Sequence, residues 1–424
     1  MFQRTALPEG PRVISARVPG ARSVSIAAYV LAGSRHERAG ENGVAHFMEH
    51  ITFKGTSRFP SSRAISEAIE GVGGSFNAAT DRESTVYWVR VPRREAERGM
   101  QVLGDLVVRP LLDEHEIEQE RTVIVEEIRS YLDDPSEYAQ ILFQQAMFGN
   151  GPLGREICGE EDLIRAVPSR AIRDFWATTY RPANTVVAVA GDLGHDEAVD
   201  LASAFGNGDG SRPEFEPAPA LPAGPRYQLA TRDTAQAQLV VGVPGLRRDH
   251  PDSWVLSVLN AVLGDGMSSR LFLSVREEQA LAYDISSGVS DYADAGALEV
   301  AAGVDPDALG QALDAILAEL DRIRCEPVPD DELAKTKAYL GGGLELRMDE
   351  TRHVASWLGG QEALHDEVLT VDDALERIDH VTAADILRVA GSLIRADALR
   401  LAVVAPKGYG AGLDERLRLS EVVA

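Results

Sequence analysis

Residues 206–225, GNGDGSRPEFEPAPALPAGP, divide this chain into two parts. Nine of these twenty residues are Gly or Pro, and such a composition is typical of a linker between folded segments. The stretch lies near the middle of a chain of 424 residues, which is longer than one ordinary domain. The sequence therefore predicts a first half at residues 1–206, a linker at 207–225 and a second half at 226–424.

The two halves follow the same order of elements. Each begins with an alternating strand, Val24–Val30 in the first half and Ala237–Val243 in the second. A helix follows each strand and ends near Gly55 and Gly264, respectively. Strand pairs and further helices come next in both. This order predicts an α+β fold of two homologous halves, each an antiparallel sheet with packed helices.

A five-residue motif, His46-Phe47-Met48-Glu49-His50, lies on the predicted helix of the first half. Two histidines four residues apart point from the same face of a helix, so both imidazoles can bind one metal ion. The glutamate precedes the second histidine and can reach the same face as a general base. The order H-x-x-E-H is the inverse of the H-E-x-x-H motif of zinc peptidases. The motif therefore predicts a zinc site.

A catalytic zinc site needs a third protein ligand, with the fourth position left for water. The acidic segment from Glu118 to Arg129 offers two adjacent candidates, Glu126 and Glu127. Either carboxylate can complete the site, but the two point about 100° apart on a helix.

The histidine motif and this acidic segment together resemble pitrilysin-type metallopeptidases, the family of insulin-degrading enzyme and of the catalytic subunit of the mitochondrial processing peptidase. In that family the third ligand is a glutamate about 75 to 77 residues after the motif, and a supporting acid lies seven residues before it. This pattern selects Glu127, with Glu120 as the supporting acid. The resemblance thus implies one Zn²⁺ per chain bound by His46, His50 and Glu127, with Glu49 as catalytic base.

The resemblance also implies that the two halves face each other as a clamshell around a peptide, and that only the first half binds metal. If Gly55 and Gly264 correspond, the motif positions of the second half hold Val255, Val258 and Leu259. These are apolar residues that cannot bind zinc.

Three further site assignments follow from the resemblance. Arg276 and Tyr283 match an Arg…Tyr pair of the second half, with the arginine as substrate anchor and the tyrosine hydroxyl as donor to the oxyanion. Asn77 and Ala78 match an exposed edge strand that binds an extended substrate through main-chain hydrogen bonds.

The composition limits the class of partner. The formal net charge of −25, from 42 basic and 67 acidic residues, argues against nucleic acid as a ligand. The chain has two cysteines and no long apolar run, so we expect a cytoplasmic protein without a membrane span.

The resulting hypothesis is a zinc-dependent metalloendopeptidase that hydrolyses peptides or extended polypeptide segments. Chains of this length in the family usually pair, so a homodimer is expected. The alternative is a non-catalytic interaction or scaffold subunit with the same fold.

Overall fold

The computed structural model describes residues 2–220 and 224–420. The strands in these ranges are β1 (Phe2–Ala6), β2 (Arg12–Arg17), β3 (Ser23–Val30), β4 (Ser75–Thr80), β5 (Thr85–Pro92), β6 (Thr185–Gly191), β7 (Tyr227–Thr231), β8 (Ala237–Pro244), β9 (Ala282–Asp291), β10 (Gly296–Val304) and β11 (Arg400–Ala405).

The α-helices of the same ranges are α1 (Val44–Thr52), α2 (Ser62–Glu70), α3 (Ala96–Val108), α4 (Glu114–Asp133), α5 (Pro135–Phe148), α6 (Glu161–Ala166), α7 (Ser169–Thr179), α8 (His195–Ala202), α9 (Ser253–Leu263), α10 (Leu309–Cys325), α11 (Asp330–Arg347), α12 (Thr351–Leu364), α13 (Val371–His380) and α14 (Ala383–Leu393). Among the described residues, no helix is both long and apolar enough to cross a bilayer.

The chain forms two compact units. Each unit contains one mixed sheet. The first sheet has the order β1-β2-β6-β3-β5-β4, and the second has the order β7-β11-β8-β10-β9. The five strands β2-β6-β3-β5-β4 of the first sheet correspond in order to β7-β11-β8-β10-β9 of the second. Each corresponding pair of neighbours is also parallel or antiparallel in the same way. The fold is therefore α+β with two similar sheets and packed helices.

The prediction that both sheets are antiparallel is wrong at one strand pair in each. Strand β2 pairs with β6 in parallel, and β7 pairs with β11 in parallel. Parallel neighbours require a long connection, and the members of each pair are separated by most of a half of the chain. Strands β4 and β5, which are joined by a short turn, pair antiparallel.

The two units exchange a helical segment. The break between residues 216 and 217 falls in the predicted linker, but residues 130–155 pack with the second unit and residues 345–370 with the first. Each of the predicted continuous halves, 1–206 and 226–424, therefore contains one segment that packs with the other unit.

The exchanged helices cover one face of each sheet. Helix α12 packs on β3 and β6, and Gly359 lies so close that a Cβ there would be 2.4 Å from the Tyr29 ring. Helix α5 packs on β8 and β11, where a Cβ on Gly242 would be 2.7 Å from the Phe143 ring. Because a sheet with two apolar faces must be covered on both, each sheet recruits a helix that is distant in sequence.

Helix α1 lies beside the terminal strand β4 of the first sheet. Its apolar residues Val44, Phe47, Met48 and Ile51 are buried. This burial fixes the rotation of the helix and leaves the polar positions of the motif on the face toward α4 and β4.

Candidate metal centre

The N-terminus of α1 is held by a buried carboxylate that the sequence analysis did not identify. Glu37 accepts hydrogen bonds from the amides of Gly43 (3.0 Å) and Ala45 (2.8 Å). A carboxylate at this position satisfies amides that have no partner within the helix and interacts favourably with the helix dipole. Gly43 has a φ of 92°, a conformation that favours glycine.

The structure brings the three predicted ligands together. The His46 and His50 rings have centroids 4.5 Å apart. The carboxylate of Glu127 on α4 contacts both imidazoles, with Oε2 lying 3.3 Å from His50 Nε2 and Oε1 lying 3.8 Å from His46 Nε2. Two imidazoles and one carboxylate are the donor set of many catalytic zinc sites.

Glu120 contacts His50 from the side opposite to Glu127. Its Oε1 lies 2.9 Å from His50 Nδ1, and its Oε2 forms an ion pair with Lys54. A carboxylate on one ring nitrogen orients the imidazole and leaves the other nitrogen for a metal. Lys54 was not predicted, although it lies one helical turn after His50.

Glu126 points away from this cluster. Its carboxylate pairs with Arg129 at 2.8 Å, and 64% of its side chain is exposed. The geometry thus favours Glu127 over its neighbour as the metal-facing carboxylate.

The two histidines have opposite pKa shifts. Burial lowers the pKa of His50, but its hydrogen bonds to Glu120 and Glu127 outweigh this effect and raise the value to about 9. Burial and the nearby charge of His50 lower the pKa of His46 to about 4. A divalent cation fits this site because it replaces the proton and balances the carboxylates.

Glu49 faces the same cluster but bonds to a different element. Its Oε2 accepts a 2.6 Å hydrogen bond from the hydroxyl of Thr80, the last residue of β4. Burial raises the pKa of Glu49, while this hydrogen bond opposes the shift. Glu49 is thus oriented by β4, and its basicity is increased by its surroundings. Thr80 was also missed by the sequence analysis.

The predicted substrate residues lie on β4, the terminal strand of the first sheet. Asn77 is exposed and Ala78 is half-buried. The amide of Ala78 donates to Oδ1 of Asn77 at 2.9 Å. The amide of Asp81 donates to the carbonyl of Ser84 at the β4–β5 turn, and because bonded pairs alternate along antiparallel strands, the Ala78 amide is not directed at β5. The amide therefore faces the open edge of the sheet, where an extended peptide can pair.

Cys158 is a further donor beside the predicted ligands. Its Sγ lies 3.9 Å from His46 Nε2, and ligand atoms of His46, Glu127 and Cys158 all lie within 4.8 Å of one another. The side chain is buried, and burial raises the pKa of its thiol. Cys158 could not be identified as a donor from the sequence, because a lone thiol 112 residues from His46 carries no spacing signal.

Arg276 and Tyr283 lie in the second unit. Arg276 is in a π-helical segment, Phe272–Glu278, with its guanidinium 4.5 Å from the centroid of the Phe272 ring. Tyr283 lies at a β-bulge of β9, because the flanking residues pair with Gly303 and Val304 and leave it without an opposite residue. Bulges often redirect side chains near functional sites, and 74% of Tyr283 is exposed. The role of this pair in catalysis stays a prediction.

The motif positions of the second half are core residues. Val255, Val258 and Leu259 lie on α9 and are buried. Helix α9 follows β8 as α1 follows β3. The same place in the repeated order therefore carries the motif histidines in one half and buried apolar residues in the other.

Comparisons with protein families and curated proteins show what this chain is similar to. Residues 12–161 match the family described as Insulinase (Peptidase family M16), and residues 166–340 match the family described as Peptidase M16 inactive domain. An uncharacterized zinc protease of Streptomyces coelicolor is 36% identical over 400 residues, covering 92% of this chain and 87% of that protein. An uncharacterized zinc protease of Bacillus subtilis is 32% identical over 415 residues, covering 96% of this chain and 99% of that protein.

Solved structures share the fold at low sequence identity. The crystal structure of a protease from Helicobacter pylori has a TM-score of 0.89 at 21% identity, covering 96% of this chain and 99% of that one. A chain of complex III2 from Candida albicans has a TM-score of 0.81 at 17% identity, covering 95% of each chain. At such identities the likeness concerns the fold alone.

Proposed function

This chain belongs to the insulinase family of peptidases, family M16, and from that premise we propose that it is a zinc metalloendopeptidase that cleaves peptides or extended polypeptide segments. The observation that carries the proposal is the contact of Glu127 with both motif histidines. Curated relatives named as zinc proteases support the choice of metal and reaction class.

His46, His50 and Glu127 hold the ion in this proposal. A bound zinc supplies Lewis acidity, which lowers the pKa of a water molecule and polarises the substrate carbonyl. Glu120 keeps the His50 ring oriented, with Nε2 directed at Glu127. Lys54 holds the other oxygen of Glu120, so the supporting carboxylate is itself fixed.

Glu49 is the general base of the proposed reaction. It accepts the proton of the attacking water and later delivers it to the leaving amine. A base is most effective when its pKa lies near the working pH, and burial shifts the pKa of Glu49 upward in that direction. Thr80 holds one carboxylate oxygen, which leaves the other for proton transfer.

The substrate lies along β4 in this proposal. An extended peptide pairs with the main chain near Ala78, and main-chain pairing is independent of the substrate's side chains. Arg276 and Tyr283 anchor the substrate and stabilise the oxyanion, as the family resemblance implies; a hydroxyl in that role contributes roughly 3 kcal/mol.

We also propose that the protein forms a homodimer.

The second candidate is a non-catalytic subunit with the same fold. It is favoured by one observation, the match of residues 166–340 to a family described as an inactive domain. That match begins in the first half, extends through α9 and α10, and does not include the histidine motif or Glu127.

One experiment separates the two candidates. The purified full-length chain is analysed for zinc by mass spectrometry and incubated with a library of quenched fluorescent peptides. We expect about one zinc per chain, cleavage that a chelator abolishes, and recovery when zinc is added back. Bound zinc without cleavage of any peptide would favour the non-catalytic subunit, and a chain that binds no zinc would refute the proposed metal centre.

A further inference from the structure

We propose that Cys158 is a ligand of the same metal ion, so that its thiolate closes the coordination shell when no substrate is bound. This inference rests on the proposed metal centre and adds a donor that neither the motif spacing nor the family resemblance assigns.

The distances around His46 support a shared ion. His46 Nε2 lies 3.9 Å from Cys158 Sγ and 3.8 Å from Glu127 Oε1. In a tetrahedral zinc site with ordinary bond lengths, the corresponding separations are about 3.6 Å for nitrogen and sulfur and about 3.4 Å for nitrogen and oxygen. The observed separations exceed these values by only a few tenths of an ångström, which small side-chain rotations can close.

The imidazole of His46 is buried, with 7% of the residue exposed. Its Nε2 lies beside the Cys158 sulfur and the Glu127 carboxylate. Cys158 is therefore not an isolated cysteine in an apolar core. Its thiol belongs to a cluster of metal donors that also includes a buried imidazole and a carboxylate.

The segment that carries the thiol packs against the start of the metal-binding helix. A Cβ on Gly43 would be 2.6 Å from the carbonyl oxygen of Cys158, and a Cβ on Gly159 would be 2.5 Å from the carbonyl oxygen of Asn42. Glycine at both positions therefore allows the two backbones to approach closely. This contact anchors Cys158 relative to α1, so its sulfur keeps a defined distance from His46.

Metal binding changes the protonation of the thiol. The S–H bond breaks, the proton leaves to solvent, and the sulfur lone pair binds the cation. Thiolate is a strong ligand for zinc. With four protein donors the shell has no open position, whereas a catalytic zinc needs one. Cys158 therefore stabilises a resting state and must leave the metal before a water molecule and a substrate carbonyl can bind.

X-ray absorption spectroscopy of the zinc-loaded full-length chain tests this inference without an activity assay. We expect one sulfur scatterer at about 2.3 Å beside nitrogen and oxygen at about 2.0–2.1 Å. The cobalt-substituted chain should show a near-ultraviolet charge-transfer band from the thiolate. Both signals should disappear in Cys158→Ser, while the matched control Cys325→Ser, which changes the exposed cysteine, should keep them.

Zinc affinity gives a second measurement. In chelator competition, Cys158→Ser should bind zinc at least ~10-fold more weakly than the wild type and the Cys325→Ser control. A wild-type spectrum with only nitrogen and oxygen scatterers would refute the thiolate ligand and leave the proposed metal centre intact. A cobalt charge-transfer band that persists in Cys158→Ser would likewise refute it. A wild-type chain that takes up no metal would refute both proposals.

Discussion

His50 Nδ1 lies 2.9 Å from Glu120 Oε1, while Nε2 on the opposite side of the ring lies 3.3 Å from Glu127 Oε2. The imidazole is therefore held between two carboxylates of one helix, α4. Glu120 fixes which nitrogen faces the predicted metal position, and Lys54 holds Glu120 in turn.

We expect Glu120→Gln to weaken zinc binding by roughly 10–100-fold, because the amide no longer supports the basicity and orientation of His50. Chelator competition measures this change. An unchanged zinc affinity would mean that the packing of α1 alone orients the ring.

Glu127→Gln should strongly lower the zinc content of the purified chain, because it removes the carboxylate that contacts both histidines. Glu126→Gln is the matched control on the same helix, and it should retain about one zinc per chain because its side chain is exposed and pairs with Arg129. Metal analysis of both variants decides the assignment, and the reverse pattern would transfer the ligand role to Glu126.

Glu49→Gln should keep zinc and lose at least ~10²-fold in kcat/KM, because the amide cannot accept the proton of the attacking water. Metal analysis and peptide cleavage are measured on the same sample. Loss of zinc would identify Glu49 as a ligand, and near-normal cleavage would exclude it as the base.

Tyr283→Phe should keep the metal and lower kcat more than it changes KM, since a hydroxyl that acts on the oxyanion contributes mainly in the transition state. The bulge and the exposure of the ring are retained by phenylalanine. Steady-state kinetics on one peptide substrate provide the test, and a change confined to KM would indicate a binding role only.

His36 should make stability depend on pH. Burial and the charge of Arg212 lower its pKa to about 4 from an ordinary value of 6.5. Because the folded pKa lies below the unfolded one, the unfolded chain takes up a proton first as the pH falls. Stability is therefore lost between about pH 6.5 and 4, and the loss on going from pH 7 to 5 is about 2 kcal/mol.

Urea unfolding at pH 7 and pH 5 tests this expectation in the wild type and in His36→Gln, both treated with chelator so that His46 and His50 contribute equally to each. The wild type should lose more stability at pH 5 than the variant does. Equal losses would show that His36 titrates normally in the folded chain.

Part of the site follows from sequence because it depends on local geometry. Helical periodicity alone places His46 and His50 on one face, and the burial of Phe47 and Met48 in the core confirms the predicted rotation of α1. The choice between Glu126 and Glu127 needed the family pattern, since helical phase distinguishes the two faces but does not say which one meets α1.

Other features could not be derived because they depend on contacts between distant elements. Thr80 and Cys158 reach the site through the packing of β4 and of the segment after α5, and no spacing rule links them to the motif. The prediction of purely antiparallel sheets was wrong for the same reason: local strand signals reveal hairpins, whereas β2 and β6 meet only when the whole first unit has formed.

The sequence by itself determined that His46 and His50 share one helical face and that the chain has two parts with a break in the Gly/Pro-rich stretch, because helical period and Gly/Pro content act over a few residues. Only the tertiary structure decided which helices cover each sheet. Helix α12 lies on β3 although more than 300 residues separate them. Apolar burial specifies that a sheet face must be covered but not by which segment, so that choice depends on the shape of the whole chain, including the close contact at Gly359.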